Sequence, residues 1–138
     1  MRISFIGCRE NTINFFREMA EILSEKVSGL ELEERFVPFI EDIPVVALEE
    51  AKESDFVFVY AIVGDKDNKK MLIEKLIDIE IQSGTRILKA IEDDSYSGME
   101  IDDFNDAKKE LAGNYSSIII SVLFNEEDFE PKERDLGE

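Results

Sequence analysis

The sequence predicts an α/β fold, a three-layer sandwich around a four-stranded parallel sheet of order 2-1-3-4, the flavodoxin-like arrangement. Apolar runs alternate with amphipathic ones along the 138 residues, which is the pattern of strand–helix units building a parallel sheet. The apolar runs also differ in kind. Asp55 to Val63 is apolar almost throughout, whereas Glu31 to Val37 alternates, with Leu32 and Phe36 on one side and Glu31, Glu33 and Arg35 near the other. A continuous run marks a strand covered on both faces, and alternation marks a half-exposed one. Strands one and three are therefore central, strands two and four are edges, and the crossovers between them are right-handed.

Arg2 to Ile6 reads as the first strand, ending at Gly7. Asn11 to Val27 then places Ile13, Phe16, Ala20, Leu23 and Val27 at helical spacing, and Ser28-Gly29 ends that helix. Phe15 and Ile22 make a second apolar stripe off its core face. After the second strand, Glu41 to Lys52 has Pro44 in its first turn, where a missing N–H costs little, and it is expected to bury Val45, Leu48 and Ala51. Asn68 to Ser83 carries Met71, Leu72, Ile73, Leu76, Ile77, Ile79 and Ile81 around nearly its whole circumference and stops at Gly84. Apolar surface beyond the face that meets the sheet predicts an oligomer.

Thr85 to Ile91 carries Arg86 and Lys89 among apolar residues and reads as the fourth, peripheral strand. Beyond it the pattern has two solutions. Phe104, Ala107, Leu111, Tyr115, Ile118 and Val122 fit one long helix from Asp102 to about Phe124, while Ile118-Ile119-Ile120 fits a fifth strand after a turn at Gly113-Asn114. The helix is the preferred reading. Residues 1–124 form a single domain, and 125–138 an acidic tail or short arm.

Acidic residues number 33 against 16 basic ones, a net charge of −17. Such a surface repels nucleic-acid phosphates and anionic lipid heads, so neither nucleic acid nor membrane is an expected partner. Cys8 is the only cysteine, so no disulfide or thiolate metal cluster can form within one chain. No segment approaches the roughly 20 apolar residues that span a bilayer, and the start of the chain lacks a signal-peptide pattern. A cytoplasmic protein without a metal is expected. Gly7 stands without a Gly-x-Gly pattern, which argues against a dinucleotide cofactor.

Ligands of open parallel sheets bind beyond the carboxyl ends of the strands, where consecutive crossovers diverge. That selects three loops: Gly7 to Asn11, Pro38 to Asp42, and Gly64 to Asn68. The second helix begins inside the middle loop, so its free N–H groups point toward a hydroxyl or anion placed there. Acids at its start have a simpler use in offsetting the helix dipole. Cys8 beside Arg9 is ordinarily a small packing residue, and Lys66, Lys69 and Lys70 are ordinarily a solvated helix entrance.

Val37-Pro38-x-Ile40-x-Asp42-Ile43-Pro44, followed by a helix and the Phe56 to Val63 run, resembles the corresponding segment of the archaeal-type riboflavin synthase and lumazine synthase family. The spacing of the four strands agrees over most of residues 1–124, and Ala112-Gly113-Asn114 is similar to the opening of the last helix in lumazine synthases. The resemblance implies a lumazine-synthase-like fold, a homopentamer, and a ribityl-substituted pteridine bound between subunits. By that implication Phe39 and Ile40 lie along the ribityl chain, Asp42 accepts a hydroxyl hydrogen bond, Arg9, Asn11 and Thr12 approach the ring, and Val63, Gly64 and Asp65 approach from the third strand.

The departures from the family separate its activities. Phe39 stands where the family has glycine. Lumazine synthases use a histidine from a longer loop after the third strand and hold a phosphate ester with basic residues, whereas this chain has no histidine, a short Asp65 to Lys70 loop and a strong negative charge. Riboflavin synthase exchanges a four-carbon unit between two dimethylribityllumazine molecules, neither of which carries phosphate. Much of that chemistry comes from holding two rings in register in a dry site. Riboflavin synthase is the leading expectation, with no catalytic residue identified. A non-catalytic lumazine- or flavin-binding or assembly paralogue is one alternative. The other is a receiver-like signalling domain phosphorylated on Asp65, which lacks acids after the first strand to hold magnesium.

Overall fold

A computed structural model describes residues 1–9, 13–93 and 100–125. Four strands, β1 (Arg2–Cys8), β2 (Glu31–Val37), β3 (Phe56–Ile62) and β4 (Arg86–Glu92), alternate with α1 (Phe16–Lys26), α2 (Ile43–Glu53) and α3 (Lys66–Ser83), and α4 (Ile101–Asn125) follows. The strands pair in parallel in the order β2-β1-β3-β4. The buried runs are indeed the central ones: β1 after Arg2, and β3 as far as Ala61, lie wholly inside.

Alternate residues of the central strands serve two separate cores. Ile3, Phe5, Phe56, Phe58 and Tyr60 pack with residues of α1 and α4, whereas Ile6, Cys8, Val57, Val59 and Ala61 pack with residues of α2 and α3. Helices α1 and α4 thus cover one face of the sheet and α2 and α3 the other, completing a three-layer, flavodoxin-like sandwich. No helix among the described residues is long and apolar enough to cross a membrane.

The last segment is helical, with Ala112, Ser116 and Ile119 buried at helical spacing and Gly113-Asn114 carried inside the helix. Long-range packing on α1 outweighs the strand propensity of three consecutive isoleucines. Gly84, at φ +71°, closes α3 in the left-handed conformation that glycine adopts without steric cost. The proposed tail lies outside the described residues beyond Asn125.

Three local expectations are corrected. Helix α1 starts at Phe16, not Asn11, because the Asn14 side-chain oxygen accepts the Phe16 N–H at 3.1 Å and stops the helix there. Phe15 is therefore outside the helix and wholly buried, stacked on Tyr115 of α4 at 5.9 Å and set edge-on to Tyr60 at 4.6 Å. The stripe assigned to a neighbouring subunit is covered, at Phe15, by the chain's own last helix. In α2 the inner face is Ile43, Ala47, Glu50 and Ala51, and Val45 is 63% exposed. A 3-10 turn, Ile40–Asp42, precedes α2 and sets its rotation, which the helix period alone cannot supply.

Candidate functional site

The carboxyl ends of β1, β2 and β3 lead into the three loops where a ligand is expected. Because α1 lies on one face and α2 and α3 on the other, the crossovers diverge between β1 and β3. Two concavities flank this edge, one on each face of the sheet.

The larger is a groove of about 580 Å³. Phe39, Ile40, Glu41 and Pro44 form one wall, and Asn68, Met71, Leu72 and Lys75 of α3 form the other. The first wall is built locally: the Asp42 N–H donates to the Phe39 carbonyl at 3.0 Å, closing the 3-10 turn, and Pro44 falls in the first turn of α2. Phe39 stays in extended backbone before that turn, leaving its ring 54% exposed. Met71 opposite is 60% exposed. Among the described lining residues only Glu41 and Lys75 are ionisable.

The smaller is a crevice of about 270 Å³ on the α1 side, bounded by Cys8 and Arg9 at the end of β1, Ile13, Asn14 and Phe16 at the entry of α1, Phe36 of β2 and Tyr60 of β3. Arg9 is exposed, and its backbone N–H donates to the Val37 carbonyl at 2.8 Å, continuing the β1–β2 pairing. Cys8 is 3% exposed and its thiol donates to the Pro38 carbonyl at 3.8 Å, which is a packing position.

Phe39 and Ile40 thus share the groove. Asp42 stands half-buried at the α2 entrance and makes no side-chain capping bond. Val63 is buried in the core, its N–H donating to the Glu92 carbonyl at 2.8 Å. Gly64 is exposed, with open space where a side chain would lie. Asp65 caps α3, its Oδ1 accepting the Asp67 N–H at 2.9 Å. Arg9 belongs to the crevice on the other face, and Asn11 and Thr12 lie outside the described residues. Lys66, Lys69 and Lys70 border a shallow concavity with Asp93, and Lys69 is 3.7 Å from its carboxylate. Among the described residues no three acidic or thiol side chains converge to hold a metal.

Asn68 closes the loop after β3 that was expected to meet a ligand, whereas Met71 and Lys75 were not expected as site residues. The signal for Met71 was the full apolar circumference of α3, which says that an outer face is covered without saying by what; Lys75 had none. Phe36 and Tyr60 were hidden in strands whose apolar pattern reads as core.

The strongest electrostatic cluster lies at the opposite, amino-terminal end of the sheet. Glu50 is 5% exposed and accepts hydrogen bonds from Ser4 at 2.5 Å, Arg35 at 2.8 Å and Arg2 at 3.1 Å. Burial alone would raise its pKa, but the bonds from Ser4, Arg2 and Arg35 outweigh burial and hold it below the ordinary carboxylate value. Its bond to Arg35 in turn raises the guanidinium pKa against the opposing effect of burial. This cluster ties α2 to β1 and β2 and has no opening toward either concavity.

No family model and no curated protein matches the chain. Among solved structures it is similar to one described as the solution structure of a phosphate-loop protein, at 19% sequence identity and a TM-score of 0.44, covering 85% of this chain and 94% of that one.

Proposed function

We propose that this protein is a riboflavin synthase-like domain that holds a ribityl-substituted pteridine, of the dimethylribityllumazine type, in the groove between Phe39 and Met71. The groove carries this reading. It is an open, largely apolar concavity of about 580 Å³, within the size range of small-molecule sites, and its first wall is the Val37 to Pro44 motif. The Asp42 and Ile43 N–H groups at the start of α2 are used within the 3-10 turn and Pro44 has none, so the polar groups this groove offers a ribityl hydroxyl are the side chains of Glu41, Asn68 and Lys75.

The groove is open on its outer side, and Met71, Val45, Ile77 and Ile81 extend exposed apolar surface along α2 and α3. A second copy of the chain seated there closes the groove and removes water from it, in a homo-oligomer of the pentameric kind that the resemblance implies. The single, buried cysteine suits a reducing compartment, and we place the protein in the cytoplasm.

Binding is the core of the proposal, and exchange of a four-carbon unit between two bound lumazines is the reaction such a site would promote by alignment. A specific observation favours binding without turnover as the second reading: among the described residues the groove offers only Glu41 and Lys75 as ionisable groups, and the chain has no histidine to move a proton. Incubation with dimethylribityllumazine, following both ligand binding and riboflavin fluorescence, separates the two. Binding with riboflavin formation establishes the enzyme, binding alone the paralogue, and absence of both removes the proposal.

A further inference from the structure

The sheet ends in two edge strands that differ in charge. Along β2, Glu31, Glu33 and Glu34 stand against Arg35, so two such edges brought together repel one another. Strand β4 lacks that repulsion. Its Ile87, Leu88, Ala90 and Ile91 are interrupted by Arg86, Lys89 and Glu92, charges of both signs, and a composition of this kind suits pairing with a further strand.

The Val63 N–H donates to the Glu92 carbonyl at 2.8 Å, which fixes how β4 faces: even-numbered backbone groups turn to β3 and odd-numbered ones turn outward. Both outward groups of Ile87 are taken by side chains. The Ile87 N–H donates to Oε2 of Glu80 at 2.8 Å, and the Ile87 carbonyl accepts from Nζ of Lys89 at 2.8 Å. Glu80 comes from near the end of α3, Lys89 from β4 on the face that α3 covers, and the Lys89 ammonium also donates to Oε1 of Glu80. Carboxylate and ammonium thus supply, at Ile87, the acceptor and the donor that a neighbouring strand would supply. Their side chains are 24% and 20% exposed, so water competes weakly for them.

We propose that the Glu80–Lys89 pair is a guard on the β4 edge, an intramolecular contact that occupies the place of an added strand and keeps two copies of the chain from joining their sheets there. A second copy is the strand it excludes, because β4 matches itself. An antiparallel match centred on residue 89 sets Ile87 beside Ile91 and Arg86 beside Glu92, with Lys89 against Lys89 as its like-charge contact. The guard leaves assembly to the helical faces, and it stands independently of any ligand in the groove, whose α3 wall ends at Lys75.

Glu80→Ala combined with Lys89→Thr removes the guard and the like-charge contact while keeping the net charge. Sedimentation of the full-length variant over a concentration series should then show a doubling of the native mass, whatever the native assembly, and hydrogen exchange should slow at the backbone amides of positions 87, 89 and 91 as the mass rises. A doubled mass without slowing at those amides, or a native mass from a variant whose circular dichroism shows an intact fold, overturns the proposal. The native chain gives a readout that needs no variant. Its Ile87 amide, bonded to Glu80, should exchange about tenfold more slowly than the outward-facing Lys89 amide, and equal rates at the two overturn the guard.

Discussion

Replacing Glu50 by Gln removes the charge at the centre of the cluster that joins α2 to β1 and β2. Removing one member of a fully buried ion pair costs about 3–5 kcal/mol. Here the cost is smaller. The side chains of Arg2 and Arg35 are 25% and 39% exposed, so water recovers part of their solvation, and Ser4 keeps its contact with Ser54 at 2.6 Å. A loss of about 2 kcal/mol remains, equivalent to roughly 8 °C in Tm for a domain of this size. The pH dependence is the sharper test. The folded pKa of Glu50 lies below its ordinary value of 4.5, so the charge contributes stability above about that pH and loses it as pH falls through the folded value. Urea unfolding of the native and Glu50→Gln chains should show a constant gap from pH 6 to 8 that narrows below about pH 4.5. A gap that persists unchanged into acid would refute the assignment of the stabilisation to the ionised carboxylate.

Four further outcomes follow from particular contacts. Gly7→Ala should destabilise by about 1–2 kcal/mol in thermal unfolding, since the added methyl displaces Phe16 and Phe36; an unchanged Tm would mean that both rings yield freely. Ser116 buries a hydroxyl with no partner among the described residues, so Ser116→Ala should be neutral or stabilise by up to about 1 kcal/mol, and a clear loss in urea unfolding would reveal a hidden bond. Phe39→Gly should increase dimethylribityllumazine affinity if the ring occupies ligand space, and an unchanged dissociation constant rejects that role for Phe39. Met71→Lys combined with Ile81→Lys should reduce the oligomer mass in sedimentation while altering protomer stability by only about 0.5 kcal/mol per site, because both residues are mostly exposed; an unaltered mass places the interface elsewhere.

The sheet was legible because its order follows from burial, and burial is written in the sequence: β3 is apolar at nearly every position and β2 at alternate ones. The chain could not announce which partner covers a given apolar face. Phe15 and the outer residues of α3 carry the same kind of signal, yet Phe15 is covered by Tyr115 of α4, more distant in sequence than any pattern window reaches, and Met71 is left bare. Val45 was misplaced for a related reason, since one 3-10 turn ahead of α2 changes which side faces the sheet. The site was legible only in part. The Phe39–Ile40 wall is local and could be read from its prolines, whereas the α3 wall arises from contacts between separated elements.

The central claim places a ribityl-pteridine in the groove, and the most direct measurement is a hydrogen-exchange footprint of the protein with and without dimethylribityllumazine, at matched oligomer mass. The account predicts slowed exchange in 40–46 and 68–75, the two walls, with little change around the Arg2–Glu50 cluster. Protection absent from both walls, or confined to the α1-side crevice, would contradict it.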